Sequence, residues 1–142
     1  MIDSIDAVDR VLHEESAHSP GAVGDVERPW YMHPYQSDHL MVLEGTRFIE
    51  LYNQVHGKIE RFKFTPNAIY KNGELIHDGG AVLTWPNYVF HRIISGREGS
   101  ASINFASHCE DFDIDENFNI YDLDTETGEY EVIRKGFKDQ FI

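Results

Sequence analysis

The residues of this chain best suited to chemistry fall in two short stretches. Residues 30–45, WYMHPYQSDHLMVLEG, set Tyr31, His33, Asp38 and His39 against an apolar run that closes on Gly45, and residues 80–91, GAVLTWPNYVFH, end on His91. Side chains alternate between the two faces of a strand, so Tyr31 and His33 share a face while the neighbours Asp38 and His39 point opposite ways. A phenol of shifted pKa can act as a general acid or base, a role open to Tyr31.

The two stretches together resemble the paired signatures of the cupin superfamily, G-x5-H-x-H-x4-E-x6-G and G-x5-P-x-G-x2-H-x3-N. His33, Asp38 and Gly45 meet the spacing of the first, and Gly80, Pro86 and His91 that of the second. Four posts differ: Tyr31 stands where the family has a metal-binding histidine, Asp38 where it has glutamate, Tyr88 where it has glycine and Ser95 where it has asparagine. The resemblance implies an all-β fold, a double-stranded β-helix jelly-roll barrel. By the family's spacing Asp38 rather than His39 is the inward residue, so His33, Asp38 and His91 meet in one cavity with Tyr31 beside them. Two imidazoles and a carboxylate make a facial set for divalent Fe, Mn, Ni or Zn, with positions left for substrate or water. This reading makes the chain a divalent-metal-dependent enzyme acting on a small organic molecule, with His33, Asp38 and His91 as metal ligands and Tyr31 and His33 as catalytic residues.

Two alternatives stay open. Residues 86–91 with 100–107, SASINFAS, resemble the second half of the metal-free nucleotide-sugar epimerases and ketoisomerases, which abstract a proton beside a carbonyl with a histidine base and a tyrosine acid. Their Arg-Gly-x-His hallmark is absent, since Trp30, Tyr31 and Met32 precede His33. The other alternative is a non-catalytic small-ligand-binding or regulatory protein, because one fold hosts all three.

The elements that must position these residues read mostly as strands. Residues 4–16 are the exception: Ile5, Val8, Val11 and Leu12 recur at helical spacing behind Asp3 or Ser4 as a cap, which predicts a short helix packed on the sheet. Residues 18–25, HSPGAVGD, read as a loop. From Arg28 onward short branched and aromatic runs are broken at Glu44-Gly45, at residues 53–57 and at residues 96–99. Lys71-Asn72-Gly73-Glu74 carries an Asn-Gly pair, the signal for a two-residue hairpin whose central positions need positive φ. A second hairpin, FNIYDL and YEVIRKG around residues 124–129, is expected outside the barrel or against a partner subunit. Residues 1–24 thus form the helix and loop, 25–110 the cupin barrel and 111–142 an acidic segment with its hairpin, all within one domain.

Composition narrows the partners. At 142 residues with 41% hydrophobic content the chain has the size of a single domain with a proper core. Its net charge of −13 repels phosphate backbones and anionic lipid, which argues against nucleic acid and membrane and leaves a small-molecule ligand and a second copy, a homodimer, as expected partners. The first residues lack the basic and apolar regions of a secretory signal and the single Cys109 excludes an internal disulfide, so the expected location is cytoplasmic. Asp111-x-Asp113-x-Asp115 has Glu116 where a calcium loop requires glycine, and Cys109 lies beside His108 in sequence, on opposite strand faces, so neither makes a site. Trp30, Phe48, Tyr52, Trp85 and Phe90 are expected in the core, and His56 and His77 at the surface.

Overall fold

Two long antiparallel strands form the spine of the computed structural model, which describes residues 2–139. They are β4 (Gln36–Asn53) and β9 (Phe90–His108), paired from Gln36↔His108 at one end to Tyr52↔Phe90 at the other. Each was expected as two shorter strands. The breaks at Glu44-Gly45 and residues 96–99 are corners within continuous strands, marked by register shifts between Val42 and Glu44 and between Gly45 and Arg47. Gly45 and Gly99 both have φ of +74°, and a Cβ on Gly45 would run into the Gly99 carbonyl, so the corner requires glycine there.

The remaining strands add to the two halves of this spine. They are β1 (Ala7–His13), β2 (His18–Ser19), β3 (Trp30–Tyr31), β5 (Lys58–Thr65), β6 (Ala68–Lys71), β7 (Glu74–Asp78), β8 (Leu83–Trp85), β10 (Ile120–Leu123) and β11 (Tyr130–Arg134), with a one-turn helix α1 (Ile114–Asn117) and a 3-10 turn at Gly136–Asp139. One half holds β8, β4, β9 and β1; the other runs β7-β6-β5-β4-β9-β3-β10-β11. The halves fold over each other, since Leu40, Val42 and Trp85 from one pack with Ile49, Phe64, Ile69 and Ile93 from the other in a single core. The architecture is all-β, and among the described residues the hydrogen-bonded order ends at β7 and β11 and does not close as a barrel.

Three expectations change. Residues 7–13 are a strand: β1 pairs along its whole length with Ser100–Ala106 of β9, Val8 and Leu12 point to solvent, and Val11 turns inward to line the cavity. The apolar spacing fitted a helix, but an open sheet edge supplied seven paired positions, and tertiary pairing overrode the local pattern. The C-terminal hairpin does not lie outside, because β10 pairs with β3 and buries Tyr121 and Leu123 against Trp30, Tyr52 and Phe90. Phe48 is 45% exposed, whereas Trp30, Tyr52, Trp85 and Phe90 are core as expected. The Asn72-Gly73 hairpin forms as read, with φ of +50° and +87°. Met1 and residues 140–142, the tail of the C-terminal segment, lie outside the described residues.

Candidate metal centre

Strand β3 runs antiparallel to both β9 and β10, with Tyr31 opposite His91, and the chain then leaves the sheet so that His33 stacks over the same region. The His33 and His91 ring centroids are 4.7 Å apart, and those of Tyr31 lie 6.2 Å from His33 and 5.8 Å from His91. The turn into β9 that delivers His91 passes through Tyr88 at φ of +64°, the left-handed conformation that the glycine post of the second signature implies. On β4, Asp38 faces the cavity. His39 faces the other way, with its ring nitrogens on the hydroxyls of Thr84 and Ser107.

His33, Asp38 and His91 are all buried, and one ligand atom from each lies within 4.8 Å of the others. Both histidines spend Nδ1 on backbone: His33 Nδ1 donates to the Asn117 carbonyl at 2.7 Å and His91 Nδ1 to the Val89 carbonyl at 3.1 Å. That fixes the tautomer and turns both Nε2 atoms toward Asp38 Oδ2, at 3.3 and 3.7 Å. Asp38 Oδ1 is occupied, accepting from Gln36 Nε2 at 2.7 Å and Asn104 Nδ2 at 2.9 Å. Gln36 is in turn held by Asn117 Nδ2 at 3.1 Å. Both Nε2 atoms and Asp38 Oδ2 face one another while every other polar atom of the three side chains has a partner elsewhere, an arrangement that a divalent cation fits.

The electrostatics follow from burial and from the shared carboxylate. Burial works against a charged His33, but the hydrogen bond and charge of Asp38 outweigh it and the pKa of His33 rises above its ordinary value. Burial likewise works against an ionised Asp38, and the hydrogen bond and charge of His33, with the charge of His91, hold its pKa well below the carboxylate range. His91 goes the other way: burial first and the charge of His33 second push it down to about 4. Tyr31, half-buried, is pushed up by burial.

These side chains line a cavity of about 390 Å³ between the two halves, within the usual range for a small organic ligand. Sequence reasoning placed His33, Asp38, His91 and Tyr31 in this cavity. It missed Gln36, Asn104 and Asn117, which orient Asp38 and His33, and Arg47, His13 and Phe118, which complete the wall. The alternation Ser100, Ser102, Asn104 on one strand face was a usable signal for a polar inner wall. Asn117 had none, because it reaches the site from α1, which Asp113 caps by accepting from the Asp115 N–H. The acidic run 111–116 is therefore a helix start. Cys109 is partly buried, with Asn87 Nδ2 3.8 Å from its sulfur, and His56 and His77 are exposed.

No protein-family model matches this chain, and no curated protein matches it. Solved structures do. The capsular polysaccharide assembling protein CapF from Staphylococcus aureus aligns over 94% of this chain with a TM-score of 0.53 and 12% identity, and a second structure of it over 89% with a TM-score of 0.51 and 12% identity. CapF with the inhibitor 3-isopropenyl-tropolone aligns over 78% with a TM-score of 0.51 and 15% identity. The chain spans between 26% and 29% of the length of these proteins, so the likeness is one of fold. It agrees with the two sequence signatures.

Proposed function

We propose, for a chain of cupin-like fold, that the cavity is a divalent-metal centre held by His33, Asp38 and His91 and that the protein is an enzyme acting on a small organic molecule. The observation that supports this is the paired Nδ1 anchoring, which leaves two imidazole lone pairs and one carboxylate oxygen facing a common point. A metal there supplies a Lewis acid at a site with open positions. The chain's own residues bind and orient: Gln36 and Asn104 hold Asp38, the Asn117 carbonyl holds His33, and Tyr31 presents a phenol beside both imidazoles.

Protein purified without chelator should carry close to one equivalent of Fe, Mn, Ni or Zn by elemental analysis. The metal should be lost in His91→Ala and in Asp38→Ala while β-sheet circular dichroism persists. Stoichiometric metal that survives both substitutions would place the ion elsewhere and end this reading.

A second reading, a metal-free isomerase or epimerase on a sugar-like substrate, draws on the same Tyr31 and His33 pair. It is favoured by the unequal protonation of the two histidines, with His33 raised and His91 lowered around one carboxylate. A protein free of metal that exchanges a carbon-bound proton of a keto sugar with solvent deuterium would select it. A homodimer through the outer face of β1 belongs to the same proposal, for Val8 and Leu12 are exposed there beside Met41, Ile103 and Phe105.

A further inference from the structure

Arg47 is 1% exposed and lines the same cavity, yet among the described residues it has no acidic partner. A guanidinium has five N–H donors. Among the described residues only two are used: Nε donates to Ser100 Oγ at 2.9 Å and Nη2 to the Val11 carbonyl at 3.1 Å. Among the described residues no carboxylate compensates the charge. Burial alone pulls the pKa of Arg47 down to about 10. The carboxylates of the cavity wall are engaged or remote in function: Asp38 faces the two histidines, Asp139 pairs with Arg134, and Asp9 is exposed on β1. Neighbouring His13 is held neutral, pushed down by burial and by the charge of Arg47.

A buried cation without a counter-ion costs stability unless something pairs with it. The two hydrogen bonds tie the corner of β4 to β9 through Ser100 and to β1 through Val11, but neither requires a charge. The chain's net charge of −13 disfavours anions in general, so an anion that enters this cavity needs a local cation, which the buried Arg47 supplies. The guanidinium's planar fork matches a carboxylate with two parallel N–H···O bonds. Leu40, Trp85 and Ile93 supply apolar wall in the same cavity.

Building on the cavity reading above, we propose that its ligand is a small carboxylic acid whose carboxylate pairs with Arg47 while its other end lies toward His33, Asp38 and His91. The test uses chelator-treated protein and matched pairs of probes: acetate and acetamide, butyrate and butyramide, benzoate and benzamide. At least one carboxylate should bind about 10-fold tighter than its amide, as expected of a charge-assisted pair, and should shift the Arg47 side-chain N–H resonance in the unsubstituted protein. Arg47→Met should abolish the preference, and Arg47→Lys should weaken it. Should Arg47→Met fail to fold, the resonance shift in the parent protein decides. If no probe moves that resonance, or if the preference persists in folded Arg47→Met, the proposal is overturned and Arg47 is a clamp between strands. A preference that appears only after metal is added and ignores Arg47→Met overturns it too, and leaves the metal centre standing. An Arg47-dependent preference in protein that takes up no metal keeps the proposal and removes the metal centre.

Discussion

At the scale of single residues, the three buried ligands set a testable order of protonation. In chelator-treated protein, His33 should titrate above the ordinary histidine value near ~6.5 and His91 well below it, followed by imidazole proton resonances. The linkage has a definite sign. His33 is raised on folding, so its contribution to stability is complete below about 6.5 and lost as pH rises through its folded value. Asp38 is lowered, so its contribution is complete above about 3.9 and lost as pH falls further. His91, buried neutral, subtracts stability as pH falls below about 6.5, because the unfolded chain takes up a proton that the folded one refuses. Asp38→Asn should therefore destabilise most between about pH 4 and 6.5, with the loss shrinking at higher pH in thermal melts; a loss that grows above pH 7.5 would contradict the pairing.

Tyr31 belongs to the same scale. It lines the cavity and its ring lies beside both imidazoles, so Tyr31→Phe should leave stability within about 1 kcal/mol of the parent while weakening ligand binding or turnover. Tyr31→His places a third imidazole where the cupin signature has one and should tighten metal binding, read by competition with a coloured chelator. If neither substitution changes binding, Tyr31 only packs.

At the scale of elements, the site depends on a corner and on a single turn of helix. The corner puts Asp38 on one limb of β4 and Arg47 on the other, and it turns at Gly45. Gly45→Ala meets both a left-handed φ and the Gly99 carbonyl, so it should cost well over the ~1–3 kcal/mol of a strained backbone alone and lower the melting temperature sharply. The helix α1 acts through Asn117, fully buried, whose Oδ1 accepts from the Tyr35 N–H and whose Nδ2 donates to Gln36. Asn117→Ala strands both partners and should cost about 1–3 kcal/mol, with metal affinity falling about 10- to 100-fold as Gln36, which holds Asp38, loses its support, while the Asn117 carbonyl that holds His33 remains. Unchanged affinity in a destabilised Asn117→Ala would mean that the ligands are held by their strands alone.

At the scale of the whole molecule, β1 closes the cavity with one face and offers the other to solvent. Val8 and Leu12 are 59% and 65% exposed, and across the paired strands they continue into Ile103, Phe105 and Met41. This face, on which Arg10 stands between Val8 and Leu12, is the one that the proposed homodimer would use. The chain should sediment as a dimer, and Leu12→Glu should halve its mass while leaving the metal content unchanged; a parent protein that sediments as a monomer removes this expectation. Among the described residues no helix is long and apolar enough to cross a membrane.

What the sequence determined by itself was whatever depends on short spacing. His33, Asp38 and His91 were legible because the spacing of glycine, proline and histidine resembles the cupin signatures, which imply that the three meet, while strand alternation showed only that Asp38 and His39 cannot both face inward. The Asn72-Gly73 turn was legible because its positive φ values are a local requirement. Tyr88, at a glycine post, keeps the left-handed backbone of that post. What only the tertiary structure decided rests on partners far away in sequence. Residues 7–13 became a strand because the edge of β9, some ninety residues later, was open to pair with them. Asn117 became a support for the site because β10, its near neighbour in the chain, joins β3. Nothing in the sequence singles out Arg47, which became a buried charge because the two limbs of β4 fold over and β1 covers it, a consequence of long-range pairing that no local pattern encodes.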